Sequence, residues 1–87
     1  MYFVYIIQSE IDESYYIGFS ENLKERVSGH NSGNTNYTRK KKPWKLVYFE
    51  SFDNKTEALK RERFLKRQKN RDFYQRLIKA RIGSSVG

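Results

Sequence analysis

The sequence predicts a small α+β domain: a three-stranded antiparallel sheet flanked by helices, in the order β-β-α-β-α-α. Three observations carry the prediction. Tyr2 to Ser9, YFVYIIQS, is an aromatic and β-branched run of the kind that forms a strand buried on both faces. Two asparagines each stand three positions before a glutamate, Asn22 before Glu25 and Asn54 before Glu57, a cap pattern that opens a helix. Between these helices WKLVYFESF, Trp44 to Phe52, has the composition of another strand.

Taken in order, the first strand runs into the polar turn EIDE and returns as a hairpin through SYYIGFS, Ser14 to Ser20. Gly18 inside that second strand signals a bulge or a close backbone approach. The helix opened by Asn22 is expected to end before Gly33. NTNYTRKKKP reads as a polar, basic loop, punctuated by the single proline, Pro43. After the third strand, Lys55 to about Lys69 reads as a strongly charged helix. A last amphipathic helix, near Arg71 to Ile82, gathers Phe73, Tyr74, Leu77 and Ile78 on one side. The domain is expected to span residues 1–82, with 83–87, GSSVG, as a disordered tail.

A chain of 87 residues forms one domain and buries roughly 60 to 65% of the surface its unfolded form exposes, so each buried polar group weighs heavily. Without cysteine there is neither a disulfide framework nor a thiolate metal site. No basic n-region opens the chain, and the apolar run Met1 to Ile7 is far short of the roughly 20 residues that span a bilayer. The expected compartment is the cytoplasm.

The net charge of +8 is unevenly spread: residues 1–36 balance at −3 and residues 37–87 at +11. The second part is a surface that attracts polyanions. Seven tyrosines, six phenylalanines and one tryptophan place stacking groups among those charges, which makes nucleic acid the expected partner. The bland alternative is a merely soluble basic surface. Peripheral binding to anionic membranes fits less well, because the basic helix around Glu62 has few large apolar residues on one side.

Two helices break their own apolar pattern. At about 100° per residue, Leu23, Arg26, Val27 and His30 share one arc, which places an arginine and the chain's only histidine beside the core. In the next charged helix Ala58, Leu59 and Leu65 bracket Glu62. An unpaired guanidinium or carboxylate there costs several kcal/mol to desolvate, so something must compensate. One solution is an Arg26–Glu62 ion pair with His30 as a hydrogen-bonding neighbour. The other sets a phosphate against Arg26 and a hard divalent cation against Glu62. Tyr5 and Tyr16, on the two hairpin strands, point toward the same helix face and add phenols that donate, accept or act as bases; each taken singly also reads as a core aromatic.

These residues together resemble the GIY-YIG nucleases, and in particular their small standalone bacterial members, over about Tyr2 to Ile78. VYI, Val4 to Ile6, is a degenerate form of the first family tripeptide; YIG, Tyr16 to Gly18, is the second intact, beginning ten positions after Ile6. ENLKERVSGH is similar to the family helix in which an arginine precedes a histidine or tyrosine by four positions, here Arg26 and His30. TEALKRERFLKRQKNR resembles the helix that carries the metal-binding glutamate, and its register maps that role onto Glu62, with Glu57 the weaker candidate. Two departures stand out: Phe19 occupies a position that is often lysine in the excision-repair relatives, and the family's last asparagine has only Asn70 nearby.

The resemblance implies a metal-dependent endonuclease of nucleic-acid repair or processing, with DNA a more natural substrate than RNA and structure preferred over sequence. Selectivity would come from a protein partner or a distorted substrate. One Mg²⁺ or Mn²⁺, weakly bound without substrate, would be held by Glu62. Arg26 would stabilise charge on the phosphoryl oxygens, while Tyr5 or Tyr16 would orient or deprotonate the attacking water with help from His30. Gly18, Arg39, Lys40, Lys41, Lys42, Trp44 and Lys45 are the expected nucleic-acid contacts, Trp44 as a stacking group or else as a core anchor of the third strand. The alternative from a different class is a non-catalytic basic module that binds nucleic acid on the same fold.

Overall fold

The computed structural model describes residues 1–33 and 36–86, leaving out the side chains of 36, 37 and 81–86. Its elements are β1 (Tyr2–Ser9), β2 (Tyr15–Ser20), α1 (Leu23–Ser32), α2 (Asn36–Arg39), β3 (Trp44–Phe52), α3 (Lys55–Gln68) and α4 (Arg71–Val86). β1 is the central strand, paired antiparallel with β2 on one side and β3 on the other. Its central position explains its composition: Val4, Tyr5, Ile6 and Ile7 are all buried, because both faces of the sheet are covered.

The alternation of side chains along β1 separates two cores. Val4 and Ile6 join Ile17 and Tyr48 beneath Ala58 and Leu65 of α3 and Tyr74 of α4. Tyr5 and Ile7 join Trp44 on the opposite face, with Tyr16, Leu23, Val27 and Phe49 packed around them. A bulge in β3 makes this division possible. Ile6 pairs with Tyr48 but Ile7 with Leu46, so Val47 is an extra residue that shifts the register. A one-residue shift exchanges the faces, and Trp44 and Tyr48 therefore point to opposite sides of the sheet.

Local chemistry ends the helices where the sequence places their signals. Asn22 caps α1 by accepting from the Glu25 amide at 3.1 Å, and Gly33 closes it with φ 85°, a left-handed conformation that suits glycine. Asn54 accepts from the amides of Thr56 and Glu57. Asn70 caps α4 through the amides of Asp72 and Phe73, and the Tyr74 hydroxyl donates to the Leu65 carbonyl at 2.7 Å, which fixes the elbow between α3 and α4. Asn70 is thus occupied as a helix cap. α4 continues past Ile82; the expected disordered tail falls on residues whose side chains lie outside the described ones.

One clamp escapes the sequence pattern. Arg61 of α3 forms a two-pronged hydrogen bond with Glu50 of β3, at 2.9 and 3.0 Å, and Tyr48 donates its hydroxyl to the same carboxylate. Burial and the Glu50 charge push the Tyr48 phenol up to about 12. The clamp ties α3 to the edge strand at the residue next to Glu62. Among the described residues no helix is long and apolar enough to cross a membrane.

Candidate active site

The site lies on the α1 face of the sheet and starts from a contact between neighbouring strands. Tyr5 of β1 is paired with Gly18 of β2, and a Cβ on Gly18 would overlap the Tyr5 hydroxyl and ring. The missing side chain leaves room for the phenol of this fully buried tyrosine, which crosses β2 toward α1. Gly18 is itself buried in this way and is not open to a phosphate, which corrects the expectation of a contact there.

The Tyr5 hydroxyl meets His30 Nε2 at 2.9 Å, and the other ring nitrogen, Nδ1, lies 3.0 Å from Thr38 Oγ1. His30 is 2% exposed and Thr38 is fully buried. Trp44 completes the arrangement, its indole N–H donating to the Thr38 carbonyl at 2.8 Å. Asn31 of α1 grips the Trp44 backbone from both sides, donating to its carbonyl and accepting from its amide. Trp44, 2% exposed, is therefore an anchor that holds α2 against His30, and the expectation of a nucleic-acid stacking group is corrected by its burial.

Tyr16 stands edge-on to His30 with ring centroids 5.0 Å apart, and it also borders Trp44. It is half-buried, unlike Tyr5. The charge of the Arg26 guanidinium acts on the Tyr5 phenol, although the residue as a whole is exposed. This corrects its expected place beside the core: the helical arc gives a direction, and Arg26 stands at the solvent edge of that arc. Among the described residues no ion pair joins Arg26 to Glu62, so that solution to the pattern is not the one adopted.

Glu62 approaches from the opposite layer. Its side chain is 19% exposed, it pairs with Lys66 at 3.3 Å one turn on, and its charge acts on the Tyr5 phenol. Glu57, by contrast, is exposed at the start of α3 and faces Lys60 at 4.0 Å. Tyr5, Tyr16, Arg26 and His30 thus come together on one face of the sheet, while Glu62, on the helix that covers the other face, is linked to them by its charge on the Tyr5 phenol. A cleft of about 350 Å³ opens beside the cluster, lined by Ser20, Glu21, Asn22, Glu25, Arg26, Gly29 and His30.

Burial raises the Tyr5 phenol; the Arg26 guanidinium opposes this, and the charges of Tyr16 and Glu62 add to it. The same contact with Tyr5 raises Arg26. His30 is lowered from its ordinary 6.5, first by burial and then by Arg26. A histidine held neutral when folded binds fewer protons than its unfolded counterpart. Its stabilising contribution is therefore present above 6.5 and is lost as pH falls from there toward the folded value. Urea denaturation across roughly pH 5.5 to 7 is expected to show stability rising with pH in the wild type and a flatter profile in His30→Gln. An unchanged slope in the variant would assign the effect to other groups.

The basic segment is only partly as expected. It contains the one-turn helix α2, which supplies Thr38, a residue no periodic signal marks. Lys40, Lys42 and Lys45 are exposed, as is Arg39. Lys41 instead pairs with Asp12 at 3.1 Å, and its carbonyl accepts from the buried Ser9 hydroxyl, fastening the segment to the β1–β2 turn.

Among the described residues no three histidines, cysteines or acids form a metal-binding group. Glu62 is one hard oxygen donor whose charge acts on the Tyr5 phenol, and such a donor suits a cation that keeps most of its waters.

A sheet covered on both faces, with hairpin tyrosines turned toward the helix that carries an arginine and a histidine, defines a class of small α+β domain. The chain belongs to the GIY-YIG family of nucleases: the family model described as the GIY-YIG catalytic domain matches residues 1–76. It is similar to a UPF0213 protein of Clostridium perfringens, 48% identical over 68 residues that cover 77% of this chain and 72% of that one. A UPF0213 protein of Halobacterium salinarum is 43% identical over 63 residues, covering 71% and 80%. Among solved structures, the solution NMR structure of a UPF0213 protein from Bacillus halodurans is similar with a TM-score of 0.58 and 32% identity, over 92% of this chain and 85% of that one.

Proposed function

We propose that the chain is a divalent-metal-dependent endonuclease that hydrolyses phosphodiester bonds of nucleic acid, DNA in the first instance, reading structure more than sequence. The observation that carries the reading is the cluster of Tyr5, Tyr16 and His30 beside a cleft that Arg26 and His30 line.

Each residue has a task that its surroundings suit. Arg26, exposed and lining the cleft, turns its donors to the phosphoryl oxygens as charge develops on them. Tyr5 is the phenol from which a proton can be passed on, since its hydroxyl meets an imidazole nitrogen and the Arg26 guanidinium opposes the burial that raises it. Tyr16, half-buried at the edge of the same cluster, orients the attacking water. Glu62 would hold one Mg²⁺ or Mn²⁺, which when bound would cancel the charge that raises Tyr5 and stabilise the departing oxygen. Arg39, Lys40, Lys42 and Lys45, all exposed, contact the backbone of the substrate.

The test is incubation of the purified chain with branched, nicked and single-stranded DNA and with RNA, in Mg²⁺ or Mn²⁺ and in chelator. Metal-dependent strand scission, strongest on a branched or nicked duplex, is expected. Binding should weaken steeply with salt, as phosphate contacts require, and Lys40→Ala with Lys42→Ala should make that dependence shallower. Scission that persists undiminished in chelator would overturn the assignment.

A further inference from the structure

The proposed reaction leaves one buried residue beside the phenol without a task. Thr38 is fully buried on α2, with its hydroxyl 3.0 Å from His30 Nδ1 and its carbonyl held by the Trp44 indole. Neither distance alone says which ring nitrogen carries the proton, but the surroundings do. His30 Nε2 is the hydrogen-bond partner that the structure gives the Tyr5 hydroxyl. The phenol keeps its own proton, and a buried hydroxyl proton needs an acceptor. His30 Nε2, at 2.9 Å, is that acceptor. A neutral imidazole carries one N–H, and with Nε2 accepting, it is on Nδ1 and donates to Thr38.

We infer that Thr38 is a positioning residue: by accepting from Nδ1–H it fixes the His30 tautomer that leaves Nε2 open to the Tyr5 proton. For its effect on cleavage this rests on the function proposed above; for the state of the ring it does not. When the proton moves, the Tyr5 O–H bond breaks and an Nε2–H bond forms. A phenolate is left against Arg26 and an imidazolium whose Nδ1–H stays on Thr38, with the total charge unchanged. The other tautomer would already have a hydrogen on Nε2, and the phenol proton would have no place to go. Trp44 and Asn31 then act at one remove, holding α2 where its hydroxyl meets the ring.

The test is the ¹⁵N NMR spectrum of the His30 ring, the chain's only imidazole, recorded on the full chain at neutral pH. Wild type and Thr38→Ser are expected to carry the proton on Nδ1. Thr38→Val, of similar volume but without the acceptor, is expected to shift the major form to Nε2–H. In the cleavage assay Thr38→Val should lose roughly 100-fold while Thr38→Ser stays within about threefold of wild type. A wild-type ring protonated on Nε2, or a Thr38→Val ring still protonated on Nδ1, overturns the inference. Should the valine variant fail to fold, the wild-type and serine spectra decide. If no version cleaves any substrate, the nuclease reading fails while the spectra still decide the role of Thr38.

Discussion

Gly18→Ala is expected to be among the most destabilising single-methyl changes in this domain. The added Cβ would overlap the hydroxyl and ring of Tyr5, whose phenol is fully buried and bonded to His30. The ring has no solvent to swing into, so relief requires moving the strand or breaking the hydrogen bond. Overpacking of this kind plus a lost buried hydrogen bond costs about 2–4 kcal/mol. The smaller backbone entropy of alanine in the unfolded chain offsets only about 0.5 kcal/mol of that. Because the clash is with one side chain, it should disappear with that side chain. In a Tyr5→Val background the alanine is expected to cost much less, a coupling of about 1–2 kcal/mol between the two sites in urea denaturation. Additive effects would mean that Gly18 serves something other than Tyr5.

Arg26→Ala is expected to lower the cleavage rate about 10² to 10³-fold, the scale of losing one well-placed donor to a developing oxyanion. Its stability should barely change, since the residue is exposed, and the loss should appear in the turnover step more than in binding. Removing the guanidinium also removes the positive charge beside His30 and Tyr5. The imidazole should then titrate higher and the phenol higher still, so the pH dependence of any residual cleavage should move toward alkaline pH. A rate loss with an unmoved pH profile would separate Arg26 from the tyrosine and histidine and leave it only a phosphate contact.

The parts of this molecule that were legible in the sequence are those decided by near neighbours. β1 and β3 run over the residues their composition marks, Tyr2–Ser9 and Trp44–Phe52, and Asn22 and Asn54 cap the helices they announce. Gly18 does mark a close approach, though what approaches it is the Tyr5 phenol rather than backbone. What stayed hidden depends on depth and on residues far apart in the chain. A helical arc shows that Arg26 and His30 share a side of α1, yet burial divides them, His30 inside and Arg26 outside. The Val47 bulge leaves no mark in the sequence of β3, and without it the choice between Trp44 as a stacking group and as a core anchor stays open. One turn of helix has no periodicity, so Thr38 lay within an expected loop. Glu50 and Arg61 find each other across two elements, with no pattern to announce the clamp beside Glu62.

Glu62 is where a nuclease and a binding module on the same fold part company. Its side chain pairs with a half-exposed lysine, so removing its charge should cost under about 1 kcal/mol of stability. The direct measurement is therefore Glu62→Gln against wild type on one branched DNA substrate in Mn²⁺, with cleavage and metal-free binding read on the same samples. Loss of cleavage by 100-fold or more with unchanged binding is the predicted result. Equal cleavage by the two proteins, or binding by both with no cleavage by either, would contradict it.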